Sequence, residues 1–293
     1  MSQRYRYLDE DKQDDAGVGG CRIGTRPEVR ARRRRRARKR RLRKIRNRII
    51  RFGSILCILA VLAGGSKVMG RMTERFSGAE TVSVEKLEEE DYPQSLRQLY
   101  DKNVEARQFV LDYKNKKDVH DKIDVSNEVT SGEIPLFIQW DERWGYEQYG
   151  DDFLAVTGCG PTSLSMVYIG LTGDTSLHPL AMARLAEKEG YYVNGSGSSW
   201  SMMTDLAKKL GLTVRNVVFD EGHILDELRD GNPIICIMGP GDFTTAGHFI
   251  VLTGIADNGE IEIHDPNSIR NSDRTWRLDV LMRQTRNLWG YSG

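Results

Sequence analysis

One cysteine in this chain has a setting that could do chemistry: Cys159, in the stretch Gly158-Cys159-Gly160-Pro161-Thr162-Ser163. The flanking glycines let the backbone turn sharply, and Pro161 suits the first turn of a helix, where its missing N–H costs nothing. Leu164, Val167, Tyr168 and Leu171 then recur at helical spacing, so the pattern predicts a helix that begins at the cysteine. A helix N-terminus favours negative charge and makes a thiol more acidic, which yields a nucleophilic thiolate. The plain alternative is a buried structural cysteine. Cys236, inside the apolar run Pro233-Ile234-Ile235-Cys236-Ile237-Met238, reads that way. A disulfide between the two is not decided by spacing.

A thiol nucleophile needs a base. Of the five histidines, His120 lies in a charged stretch, His178 precedes a proline, His223 opens a surface helix, and His264 precedes an aspartate. His248 follows the flexible Thr244-Thr245-Ala246-Gly247 and opens the apolar strand Phe249-Ile250-Val251-Leu252, a good place for a general base. Asp257-Asn258-Gly259 reads as a hairpin turn that folds residues 263–267 back beside His248. Asp265 is then the carboxylate expected to accept the Nδ1–H of His248 and hold the ring toward the thiol. In isolation, Asp265 would be a turn former before Pro266. Acyl chemistry also needs donors for a developing oxyanion. The backbone N–H of Cys159 is one, and the amide of Gln139 is the candidate for the other.

The elements that must position these groups follow from the pattern. Leu136 to Trp140 is β-prone, and Asp141 to Tyr146 reads as an aromatic-rich loop. Helices are expected over 180–190, 201–210 and 223–229, with a glycine-rich loop at 195–200. Strands are expected over 213–219, 234–238, 248–255, 260–264 and 287–291. Helices first and an antiparallel sheet second make an α+β domain. No Cys-x-x-Cys or His-x-x-x-His pairing argues for a metal, and no glycine-rich phosphate loop argues for a nucleotide, so no cofactor is expected.

The net charge of +1 over 293 residues conceals an asymmetry. Residues 1–50 hold 19 Lys and Arg against 6 Asp and Glu, a net +13; the rest hold 24 against 36, a net −12. The arginine-rich stretch 32–48 has three readings: nucleic-acid binding, nuclear targeting or a membrane-flanking block. The uncharged run that follows favours the last, so no nucleic-acid partner is expected. Residues 49–69 are about as long as a bilayer needs. The expected organisation is a disordered basic tail at 1–48, a transmembrane signal anchor at 49–69, a stalk with one helix (94–113) at 70–132, and a catalytic domain at 133–293. Basic flanks stay cytoplasmic, which puts the domain outside the cell. A cleaved signal peptide and a buried core helix are the competing readings of the apolar run.

Taken together, Gln139-Trp140-Asp141, the Gly-Cys-Gly-Pro-Thr-Ser helix, Gly247-His248-Phe249 and His264-Asp265-Pro266 resemble the papain-like cysteine peptidases. The branch they are most similar to is that of the bacteriocin (double-glycine) leader peptidases. The resemblance implies Cys159 as nucleophile, His248 as base, Asp265 as orienter and Gln139 in the oxyanion hole. It also puts Ser198, Ser199 and Trp200 in a loop near the substrate. It implies a papain-like fold with N-terminal helices packed on a C-terminal antiparallel sheet. Leader peptidases of that branch are fused to transporter and ATPase domains, which are not expected here. The expected function is a membrane-anchored, outward-facing peptidase acting on surface or secreted peptides or on cell-wall peptides. An acyltransferase on the same residues and a non-catalytic binding module are the rivals.

Overall fold

A computed structural model describes residues 82–293, which form a six-stranded antiparallel sheet, two short hairpins and the helices packed on them. The chain first forms helices α1 Val84–Glu89, α2 Gln94–Lys102 and α3 Arg107–Lys116. A hairpin of β1 Gln148–Tyr149 and β2 Asp152–Phe153 leads into α4 Leu154–Thr157, α5 Cys159–Thr172 and α6 Pro179–Lys188. A second hairpin, β3 Tyr192–Val193 with β4 Gly197–Ser198, precedes α7 Asp205–Lys209, β5 Thr213–Asn216 and α8 Glu221–Asp230. Then come β6 Ile234–Met238, β7 His248–Ile255, β8 Ile261–His264, α9 Ile269–Ser272, β9 Thr275–Trp276, α10 Leu278–Gln284 and β10 Thr285–Ser292. The sheet order is β5-β10-β6-β7-β8-β9, antiparallel throughout. The last strand, β10, lies inside the sheet between β5 and β6.

Side chains alternate across a strand, and here both faces are covered. Ile235, Ile237, Phe249, Val251, Trp289 and Tyr291 pack with Leu164, Met166, Val167 and Ile169 of α5. Their neighbours Ile234, Cys236, Met238, Ile250, Leu252 and Leu288 pack with Ile224 and Leu228 of α8 and Leu281 of α10. Many antiparallel sheets leave one face to water. This one does not, which is why residues 234–238 are apolar at every position. The expected single helical layer is therefore one of two. The second comes from the C-terminal half and includes α10, whose mixed composition hides it in the sequence.

Four other expectations are corrected. The helix expected over 94–113 breaks at Asn103, whose extended backbone (φ −122°) ends α2. Its Oδ1 accepts the Glu105 N–H at 2.9 Å and starts a 3-10 turn that leads into α3. In place of a stalk with one helix, residues 84–116 are packed against the domain. Leu87, Leu96, Tyr100, Phe109 and Val110 are buried with Tyr146 and Ala155, and the Phe109 and Tyr146 rings stack with centroids 4.2 Å apart. The β-prone stretch 136–140 joins no sheet. The Phe137 N–H meets the Met166 sulfur at 3.2 Å, and the Gln139 N–H donates to the Pro266 carbonyl at 2.7 Å. Likewise the helix expected over 201–210 is a 3-10 turn, Trp200–Met203, followed by α7. The basic tail, the apolar run 49–69 and the first part of 70–132 lie outside the described residues. Among the described residues, no helix is long and apolar enough to cross a membrane.

Cys236 sits buried in β6, and burial pushes its thiol up to about 12. Neither it nor Cys159 is in a disulfide. Cys236→Ala should cost about 1 kcal/mol in denaturant unfolding and leave the alkylation rate of Cys159 unchanged. Loss of Cys159 reactivity in a well-folded variant would contradict this placement.

Candidate active site

Cys159 is the first residue of α5 and is partly exposed. The backbone N–H groups of Gly160 and Phe249 favour its thiolate, so the helix start and strand β7 both serve it. The flanking glycines are there for space. Gly158 has an ordinary φ of −86°, but a Cβ on it would lie 2.3 Å from the Leu154 carbonyl oxygen. A Cβ on Gly160 would lie 2.5 Å from the Ser198 hydroxyl.

His248 opens β7, and its ring lies beside the Cys159 thiol, close enough for each to favour the other's charged form. The hairpin at 257–259 forms as expected, with Val251 opposite His264, and it returns the chain so that Asp265 meets His248. The His248 Nε2–H donates to Asp265 Oδ1 at 2.7 Å. This corrects the expected use of Nδ1: the ring presents its far nitrogen to the carboxylate, which leaves Nδ1 for the thiol. Strand pairing could show that the two residues meet but not how the ring turns. Asp265 is 1% exposed, and both its oxygens are occupied. Oδ1 also accepts the Asn267 N–H at 2.9 Å, and Oδ2 accepts Asn271 Nδ2 at 2.8 Å.

The charges support one another. Burial by itself would raise the Cys159 thiol, but the hydrogen bond and charge of His248, with the Phe249 and Gly160 N–H groups, hold it below its ordinary value. Burial would lower the His248 imidazolium. The Asp265 charge and hydrogen bond, helped by Cys159, outweigh that and push it up to about 10. Burial opposes the Asp265 carboxylate too, yet His248, Asn271 and the Asn267 N–H keep it below its usual range. The arrangement favours a thiolate–imidazolium pair at neutral pH.

Gln139 is buried close to the cysteine loop. Its Nε2 donates to the Ala155 carbonyl at 2.7 Å, while its Oε1 is buried without a partner. Its free atom is therefore an acceptor, and an oxyanion requires a donor. Ser198 turns inward, its hydroxyl 2.7 Å from that of Tyr149, and it packs beside Gly160. Ser199 bonds Ser201, and Trp200 is half-exposed, edge-on to Trp289. Asn271, Tyr149 and the Phe249 N–H were missed, because nothing in their local sequence marks them. The other histidines stand apart. His178 caps α6, His223 meets Asp220, His120 meets Glu147, and His264 bonds the Pro135 carbonyl. Among the described residues, no group of side chains is arranged to hold a metal ion.

The profile of the peptidase C39-like family matches residues 132–293, more than half of the chain. The chain belongs to the peptidase C39-like family. Membership in this family accounts for the cysteine peptidase fold and for the mixture of helices with an antiparallel sheet. Among solved structures, the chain is similar to the peptidase domain of Streptococcus ComA, a bi-functional ABC transporter involved in a quorum sensing pathway. The similarity is at 22% identity and a TM-score of 0.36, over 46% of this chain and 91% of that one. No curated protein matches.

The pKa directions set the sign of a pH test. A depressed thiol stays ionised as pH falls below the ordinary value of ~8.5, so Cys159 alkylation should persist at neutral pH. In His248→Ala only burial and the two N–H groups remain, and the curve should move to higher pH. Coincident curves would remove the pair.

Proposed function

We propose that this chain is a cysteine peptidase that hydrolyses peptide or amide bonds through a thioester acyl-enzyme. The observation that carries this reading is the buried His248–Asp265 hydrogen bond, with the Cys159 thiol coupled to the same ring. The Cys159 thiolate attacks the substrate carbonyl carbon, and the carbonyl electron pair moves onto oxygen. The Cys159 backbone N–H stabilises that oxygen. Gln139 is the second donor, once its amide turns away from Ala155. As the intermediate collapses, the carbon–nitrogen bond breaks and the His248 imidazolium gives its proton to the leaving amine. Water then attacks the thioester and passes a proton to His248; the acid leaves and the thiolate–imidazolium pair is restored. Asp265 stays ionised and keeps the ring oriented. The half-exposed Trp200, beside the Ser198 turn that touches Gly160, is proposed to meet the substrate along with Ser199.

The reading extends to location. The basic tail and apolar run 49–69 support a single-pass anchor with the N-terminus inside and the catalytic domain outside. The substrates would then be secreted or surface peptides or the peptide bridges of a cell wall.

A peptide carrying a thiol-directed warhead should label Cys159 in the wild type and leave Cys159→Ala unlabelled. Gln139→Ala should slow turnover roughly a hundredfold without moving the thiol titration. A peptide substrate left uncleaved by a protein that labels normally would argue against hydrolysis. Protease added to intact cells that carry the full chain should remove the domain and spare the tail, and a protected domain would overturn the orientation.

A further inference from the structure

The loop that carries Asp265 is held from outside the family-matched region. We infer that Asn103 and Glu105, at the break between α2 and α3, are positioning residues that hold both oxygens of Asp265 in register with His248. This rests on the proposed roles of Cys159, His248 and Asp265.

Two arms converge on the carboxylate. In the first, Asn103 Nδ2 donates to the Asn267 carbonyl at 2.9 Å and to its Oδ1 at 3.0 Å, and Trp140 Nε1 donates to the same carbonyl at 3.2 Å. Asn267, fixed on that side, gives its N–H to Asp265 Oδ1. In the second, Glu105 Oε1 accepts the Ser268 hydroxyl at 2.5 Å, and Oε2 accepts the Arg270 N–H at 3.0 Å. Ser268 caps α9 through the Asn271 N–H, and Asn271 Nδ2 holds Asp265 Oδ2. The Glu105 side chain is only 13% exposed and also pairs with Arg270 at 3.3 Å. Asn103 itself is set by its own cap on the Glu105 N–H, so the two residues act as one unit. A helix break without a role would not present a paired donor and acceptor to the two ends of one short loop.

If Asp265 is less well held, the imidazolium loses support and the pair shifts toward neutral thiol and imidazole. Nearly isosteric changes test this. Asn103→Asp keeps the cap on Glu105 but removes both donations to Asn267. Glu105→Gln keeps the size but replaces one acceptor with a donor. In the full chain, iodoacetamide labelling read at Cys159 by peptide mass is compared at neutral pH and above the ordinary thiol value of ~8.5. Both variants should label about tenfold more slowly at neutral pH, the worth of one hydrogen bond to a charged group. At high pH they should match the wild type. A purely structural role would lower the melting temperature and leave the neutral-to-high pH ratio unchanged. If folded variants keep the wild-type ratio while His248→Ala loses it, this inference falls alone. If His248→Ala also keeps it, the catalytic pair falls with it.

Discussion

Burying a carboxylate is costly unless its oxygens find partners and its charge a counter-charge. Asp265 is nearly inaccessible, and its partners are the His248 ring, the Asn267 N–H and the Asn271 amide. Much of the surrounding structure follows from meeting that demand. Residues 265–272 must fold tightly enough to return Asn271 to the carboxylate. His248 must lie at the start of its strand to reach it. The charges then alternate from carboxylate to imidazolium to thiolate, and each makes the next less costly to bury.

The packing supplies the distances. Cys159 rides on a helix and His248 on a strand, so their separation is the separation of two layers. Ser163 on α5 reaches the Phe249 carbonyl at 3.4 Å, one residue after His248, which ties the cysteine helix to the strand that carries the imidazole. A one-residue slip of β7 would exchange the faces of Phe249 and Ile250. Burial of both faces makes that slip costly, so the same apolar contacts that stabilise the sheet keep the imidazole beside the thiol.

The positions of Cys159, His248 and Asp265 were legible because each sits in local context that has a physical meaning: a helix start, a strand mouth and the return of an Asn-Gly hairpin. Strands β6 and β7 were legible to the residue because unbroken apolar runs mark them. The rest depended on partners far away in sequence. Asn103 looks like an ordinary helix residue until Asn267 is placed next to it. Residues 136–140 have strand chemistry but no edge to join. The ring nitrogen that faces Asp265 is a matter of side-chain rotation, on which residue spacing is silent. Gly158 and Gly160 were recognised as required, though the reason is crowding by Leu154 and Ser198 and not a turn.

The interior position of β10 bears on the order of assembly. Its neighbours β5 and β6 flank it and share no ladder with each other, so they belong to one sheet only when β10 lies between them. Contacts of such long sequence separation form late. The acidity of Cys159 depends on His248 and, through it, on a hairpin and loop more than ninety positions downstream. Until that hairpin and loop have folded, the Cys159 thiol lacks the imidazolium that helps to hold it down.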